Sequence, residues 1–280
     1  MPTPTSLPPV YLLRRKKAAK VTPWKTLPSR WARLLQGQRY NNLEATNDLV
    51  PAMRVGMRTA ITWRFAVSGA SRNRGDVIMP GIAAGVIRDQ APFYWHLGDL
   101  RAIFEFDEDM QRGAEIRKNT YNVLSYESAT WDDFIENQIA PFKETHFFLG
   151  IGNHEMIPPK NREQFIQQFA DWLDTPALRD QRRADDPTDR RLRTYYRWMQ
   201  GGIDFINLDN ATPDQFDSNH LTWFSHVIDR EAANSAVKTV VVGMHKALPF
   251  RMSESGEGER SDVKVYQRLL DLQNRSHKNV

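Results

Sequence analysis

The sequence predicts an α/β domain. Five short apolar runs, at residues 61–68, 92–97, 146–151, 203–208 and 238–243, have the length and the β-branched or aromatic content of strands, and the stretches between them repeat apolar residues at helical spacing. No internal repeat or long linker divides the runs, so residues 58–280 are expected to form one unit. A chain of 280 residues, 40% hydrophobic and 26% charged, can bury a core without covalent staples, and it contains no cysteine. That composition excludes disulfides, thiolate-bound zinc, iron–sulfur clusters and a thiol nucleophile. Any metal must use His, Asp, Glu or Asn.

Taken in order, residues 1–57 read as a basic, largely extended N-terminal segment with one short helix. The first 28 residues are rich in Pro, Thr and Lys, and residues 1–43 hold nine Lys or Arg and no acid. The other 237 residues carry 29 basic against 34 acidic side chains, so the net charge of +4 conceals a mildly acidic domain. Ser29 is placed to cap a helix with Trp31, Leu34 and Leu35 on one face, ended by Gly37. Further on, Thr130 with Asp133 has capping-box spacing, and Phe165, Ile166, Phe169, Trp172 and Leu173 share one helix face. Dense charge around Pro187 makes residues 180–193 a surface loop, and Gly201-Gly202 between residues 194–200 and 203–208 predicts a β-hairpin. Ser218 caps a helix buried through Leu221, Phe224, Val227 and Ile228, and a last helix carries Tyr266, Leu269 and Leu270. Residues 251–260, rich in Ser, Glu and Gly, read as a mobile loop beside the pocket. The longest apolar stretch near the start, residues 10–13, falls short of the ~7–15-residue core of a signal peptide, and no run approaches the ~20 residues of a membrane span. The expected location is cytoplasmic by default.

Four runs end alike, in an apolar segment, a glycine and a residue that is or replaces a ligand: Ser68-Gly69-Ala70, Leu97-Gly98-Asp99, Gly150-Ile151-Gly152-Asn153-His154 and Gly243-Met244-His245. Ligands of α/β sheets gather beyond the carboxyl ends of strands, where glycine lets the chain turn without obstructing the pocket. Asp99, Asn153, His154 and His245 are therefore expected to converge, and a carboxylate, an amide oxygen and imidazoles suit Mn, Fe or Zn. Each residue also has a plainer reading: Asp99 as a helix N-cap, Asn153 as a left-handed turn residue, His154 and His245 as hydrogen-bonded core histidines. Glu155 is assigned to orienting the loop or a histidine rather than to binding metal. His96, three residues from Asp99, faces the other side of its strand and is read as core, while His146, His220 and His226 lack ligand spacing. Asp209 and Asn210 end a strand near a presumed sheet edge, where they cap the next turn or line the pocket.

The elements Gly98-Asp99, Gly152-Asn153-His154-Glu155, Gly243-Met244-His245 and Leu208-Asp209-Asn210 together resemble the calcineurin-like metallophosphoesterases, over about residues 65–245. The resemblance implies a four-layer αββα sandwich of two mixed β-sheets flanked by helices, with a dinuclear metal centre at the strand ends. It assigns Asp99 to the carboxylate bridging both metals, Asn153 and His245 to the second metal, and His154 to the scissile phosphate and the leaving group. It implies hydrolysis of a phosphomonoester or phosphodiester by metal-activated water.

The chain departs from that pattern at both ends. The family's first motif is Asp-x-His, but here Ala70-Ser71-Arg72 stands in its place, and the late Gly-His-x-His motif is absent before Asn279-Val280, where a further strand would start. Alanine binds no cation and arginine repels one. The domain is thus expected to be incomplete at its C-terminus and to keep one or two metals per site, with Asp99, Asn153 and His245 as the surviving set and Arg72 supplying in place of the first metal the charge that a phosphate needs. Activity is then impaired. The alternative is a non-catalytic phosphate-binding or interaction module, and a third reading has the basic segment holding nucleic acid or an anionic membrane. Substrate and oligomeric state are not legible.

Overall fold

The computed structural model describes residues 64–280, apart from Asn119, residues 213–215 and residues 249–259. The basic N-terminal segment, the Ser29 helix, the start of the first apolar run and nearly all of the loop at 251–260 lie outside the described residues.

Among the described residues the chain is α/β, with two three-stranded sheets. Strands β1 (Ala66–Ser68), β2 (Phe93–His96) and β3 (His146–Leu149) run parallel in the order β1-β2-β3. The second sheet places β5 (Ile203–Asn207) between β4 (Tyr196–Gln200), which is antiparallel to it, and β6 (Thr239–Gly243), which is parallel. Parallel neighbours need helical crossovers. Helix α1 (Gly75–Arg88) joins β1 to β2. Helices α2 (Glu108–Arg117), α3 (Val123–Glu127) and α4 (Thr130–Phe134) precede β3, the last running on into a π-helical turn (Ile135–Ile139) and a 3-10 turn (Ala140–Phe142). Helices α5 (Arg162–Gln168), α6 (Ala170–Leu173) and α7 (Pro176–Asp185) lead to β4, α8 (Ser218–Ala233) joins β5 to β6, and α9 (Ser261–Ser276) follows β6.

Side-chain parity divides the core. On β2, Phe93 and Trp95 pack with Phe148 of β3 against Trp198 and Phe205 of the second sheet, while Tyr94 on the opposite face joins Met79, Phe134 and Phe142 from the helices. The outer face of the second sheet is covered through Ile206, Val240, Phe224, Val227 and Val265, the last three from α8 and α9. Sheet faces sheet and helices cover both outer faces, which is compatible with an α/β sandwich. Trp95 sets the alignment of the two sheets: its indole N–H donates to Asn207 Oδ1 at 2.9 Å, and its ring lies so close to Gly243 that a Cβ there would overlap it. The carboxyl ends of β2 and β6 are thereby held together.

Several sequence expectations are corrected. Strand β5 is central, so Asp209 and Asn210 follow the middle of a sheet rather than its edge. Thr130 is no N-cap; its hydroxyl donates to Glu127 O at 2.9 Å, and Ala129, which makes no side-chain cap bond, holds the N-cap position. The helix expected across Phe165 to Leu173 breaks at Phe169, whose ψ of 23° lies outside the helical range, into α5 and α6. Residues 180–185 belong to α7 rather than a loop, because Thr175 caps it by accepting from Leu178 N and Pro176 opens its first turn. The cap of α8 is Asp217, accepting from His220 N at 2.7 Å, with Ser218 one position inside. The hairpin at Gly201-Gly202 stands, with φ of 58° and 78°, as a two-residue turn with both residues left-handed requires. At the end of the chain Asn279 pairs in parallel with Thr239, beside β6.

Candidate functional site at the strand ends

The site is built where the turns after β2 and β3 interlock. A Cβ on Gly98 would run into the Gly152 backbone, and one on Gly152 into Asp99, so both glycines are needed for the close approach. The left-handed residue is Asp99 (φ 61°); Asn153 has φ −72°, which corrects its reading as a left-handed turn residue, and Asp99 caps no helix. Glu155, fully buried, ties the two turns: Oε2 accepts from Asp99 N (2.9 Å) and Gly152 N (2.7 Å), and Oε1 accepts from Leu100 N (2.8 Å). Burial, with the Asp99 charge beside it, pushes the Glu155 carboxyl up to about 7. Its orienting role is as the sequence suggested.

Asp99, Asn153, His154 and His245 do converge. His245 Nε2 lies 3.1 Å from Asn153 Oδ1 and 3.2 Å from Asp99 Oδ1, and the His154 backbone N–H donates to that same Asp99 oxygen at 3.1 Å. Both imidazoles are turned by a backbone carbonyl on the far side: His245 Nδ1 lies 3.1 Å from Leu97 O and His154 Nδ1 2.7 Å from Ala102 O. Only an N–H can bond a carbonyl, so Nδ1 carries the proton in each neutral ring and Nε2 offers its lone pair to the site. Three acceptors, one oxygen from Asp99, one from Asn153 and the nitrogen of His245, then face one another, and a proton or a cation must sit among them.

The electrostatics agree with that count. Burial would raise the Asp99 carboxyl, but the hydrogen bond and charge of His245, with help from His154, hold it down to about 2. Burial alone would lower His245, and Asp99 more than offsets it, leaving the imidazole raised. His154 is lowered by burial, with the Arg72 charge adding to the effect. Arg72 reaches in from the loop after β1: Nη1 pairs with Asp99 Oδ2 at 3.2 Å and contacts His154 Nε2. Ala70, left-handed at φ 53°, offers no side-chain ligand.

The fit to a metal ion can be tested on these distances. Oxygen and nitrogen ligands that sit ~2.0–2.2 Å from one cation lie about 3–3.5 Å from one another, and His245 Nε2 stands at that spacing from both Asn153 Oδ1 and Asp99 Oδ1. Among the described residues, no group of three or more His, Asp or Glu side chains is arranged to hold a metal ion; this set has two such donors, with the Asn153 amide as third. The second carboxylate oxygen, which a bridging role would need, is taken by Arg72.

His96 is core, as expected: fully buried, with its pKa driven by burial down to about 3. His146 is exposed at the start of β3 and His226 is exposed on α8, whereas His220 is buried and stacked on Tyr195 at 3.9 Å. Asp209 is buried and accepts two bonds from Arg162 (2.7 and 3.0 Å) and one from Ala211 N (3.1 Å), so it caps the turn after β5. Asn210 clamps the backbone after His245, donating to Lys246 O at 2.7 Å and accepting from Lys246 N at 3.0 Å. Arg162 and Lys246 escaped the sequence reading because neither carries local ligand spacing. Burial lowers Lys246, whose ammonium donates to Ala211 O at 3.2 Å. No helix among the described residues is long and apolar enough to cross a membrane. Comparison with models of known families gives no match, and neither does comparison with curated protein sequences.

Proposed function

We propose that the chain is a phosphoric ester hydrolase of the metallophosphoesterase type, built on a four-layer αββα sandwich and impaired by lost ligands, with one divalent ion (Mn, Fe or Zn) rather than two. The observation that carries this reading is that His245 Nε2 lies 3.1 Å from Asn153 Oδ1 and 3.2 Å from Asp99 Oδ1, so that the neutral ring turns its lone pair toward two oxygen acceptors. An ion held there would supply a Lewis acid that polarises a phosphoryl oxygen and makes bound water more acidic. Arg72 provides a permanent positive charge beside it, on the far oxygen of Asp99, and its fork suits phosphate oxygens. His154 aims that fork, because its Nε2 accepts from Arg72 while Nδ1 is anchored on Ala102 O. Burial and the Arg72 charge lower this ring, so less of it carries the proton that a leaving group would need.

One observation favours a second reading, a non-catalytic phosphate-binding module. Arg72 already occupies the Asp99 oxygen that a second cation would take. The two readings separate in one experiment. Mn(II) binding by titration calorimetry and hydrolysis of bis(p-nitrophenyl) phosphate are measured for the wild-type chain, Asp99→Asn and Ala70→Asp. The enzyme reading expects Mn(II) binding that weakens at least tenfold in Asp99→Asn, slow wild-type turnover, and tighter Mn(II) with faster turnover in Ala70→Asp, where aspartate suits the left-handed position better than alanine. Binding of inorganic phosphate, titrated in the same calorimeter, without Mn(II) binding or turnover in any variant selects the module.

A further inference from the structure

Behind the loop that carries Arg72 lies a row of buried and half-buried polar side chains that the proposed chemistry does not use. The Gly98 N–H approaches His96 Nδ1 at 3.2 Å, His96 Nε2 lies 3.0 Å from Ser71 Oγ, Ser71 Oγ lies 2.7 Å from Gln138 Oε1, and Gln138 Nε2 lies 3.0 Å from Asp76 Oδ1. Arg101, fully buried, closes the row 2.9 Å from that Asp76 oxygen. The direction of every proton follows. Gly98 N–H can only donate, so His96 Nδ1 accepts and the proton of the neutral ring sits on Nε2, which donates to Ser71. Ser71 then donates to the Gln138 carbonyl, and the Gln138 amide donates to the carboxylate. Each donor points toward Asp76, whose charge Arg101 balances, and bonds aligned this way strengthen one another.

The row spans distant parts of the chain. Gln138 stands on the π-helical turn, a rare conformation that is frequent at functional sites, and Gly75 is bare where a Cβ would collide with the Gln138 amide. Between its two ends runs a loop in which Ala70, Asn73 and Arg74 all have positive φ (53°, 60° and 66°). Three left-handed residues other than glycine in five positions cost energy, and such a loop persists only where its surroundings dictate it. Ser71, gripped from behind by His96 and Gln138, precedes the residue whose backbone N–H reaches Asp99 O at 3.3 Å and whose guanidinium reaches Asp99 Oδ2.

We infer that His96, Ser71 and Gln138 are positioning residues, a one-way hydrogen-bond row from the Gly98 turn to the Asp76–Arg101 pair that holds Arg72 against Asp99 and His154. What a fixed Arg72 is for rests on the phosphate reading above; that it is fixed this way does not.

The test therefore has two readouts on the full chain. In the first, Arg Nε resonances are recorded by ¹⁵N NMR in the metal-free protein for the wild type, Ser71→Ala and Gln138→Met. The expected result is that the Arg72 signal moves toward that of a solvated arginine in both variants while the signal of Arg197, which is buried and paired with Asp185, Asp204 and Glu231, stays in place. An unmoved Arg72 signal in the milder variant, Ser71→Ala, overturns the inference, and so does Arg72 moving together with Arg197, since that marks general loosening. The second readout is the affinity for inorganic phosphate. Gln138→Met should weaken it at least threefold, and the double variant Gln138→Met/Arg72→Met should be no weaker than Arg72→Met alone, because Gln138 acts through Arg72. Additive losses overturn the inference. Absence of phosphate binding in the wild type sinks the phosphate reading and leaves the NMR result to decide the positioning.

Discussion

Two arginines that reach buried carboxylates teach opposite lessons. Arg197, on β4, is nearly fully buried and donates to Asp185 (2.7 and 2.8 Å), Asp204 (2.8 Å) and Glu231 (2.9 Å), while Arg230 pairs with Asp185 from α8. Its charge is spent inside the fold, joining the end of α7 to β4, β5 and α8. Arg72 touches one carboxylate and one imidazole and keeps a quarter of its side-chain surface in solvent. A guanidinium saturated by carboxylates holds elements together; one left partly bare beside inward-facing lone pairs is available to a ligand.

The largest effect that would test this contrast is on stability. Arg197→Met should cost ~3–5 kcal/mol, because three carboxylates lose their common partner and two of them, Asp204 and Glu231, stay out of water. Urea denaturation checks it, and a loss below about 1 kcal/mol would mean that the cluster is not a structural joint.

A smaller effect concerns protons in the same cluster. Burial, with the Glu231 charge adding and Arg197 opposing, pushes the Asp204 carboxyl up to about 7. Two guanidiniums face three carboxyl groups there, so one carboxyl is short of a cation. A carboxyl raised above its unfolded value near 3.9 stabilises the fold fully below that pH, and the benefit is lost as pH rises through about 7. Stability should therefore fall between about pH 4.5 and pH 8, and Asp204→Asn, which cannot ionise, should remove on the order of 2 kcal/mol of that fall. Asp109, raised to about 6, and Glu155, raised to about 7, add to the wild-type slope with the same sign and remain in the variant. Parallel profiles of urea midpoint against pH for wild type and variant would refute the assignment.

How much of each region the sequence disclosed follows from how local its signals are. The turns Gly98-Asp99 and Gly152-Asn153-His154-Glu155 each pack strand end, glycine and polar side chain into a few residues, so their convergence was legible in the sequence. The parity that put His96 on the far face of β2 is equally local. That Asp99, and not Asn153 in its plainer reading, is left-handed was not legible, because the close approach of Gly98 to the Gly152 backbone is a contact between turns more than fifty residues apart. Helix α7 did announce itself through Thr175-Pro176, but charge density after it suggested a loop, and those charges turned out to serve Arg197, Arg230 and Asp174. The Ser71–Gln138 and Arg197–Glu231 contacts span 67 and 34 residues with no spacing rule, so nothing in the sequence alone could pair them.

The smallest effect is also the sharpest for the contrast between the two arginines. If Arg72 is a ligand-facing charge rather than a joint, Arg72→Met should change stability by less than about 1 kcal/mol, since Asp99 keeps His245 at 3.2 Å and the His154 backbone N–H at 3.1 Å, and a partly exposed pair is screened by solvent. The same substitution should tighten Mn(II) binding by roughly threefold to tenfold, because it frees Asp99 Oδ2 and removes a cation from beside the ion. Phosphate affinity should move the other way, as the fork that meets the anion is gone. Opposite signs for metal and anion at one residue, with the fold unchanged, are what a substitute for a second cation must produce. A variant that weakens both, or that unfolds as Arg197→Met does, would put Arg72 in the same class as Arg197 and remove the distinction between the two.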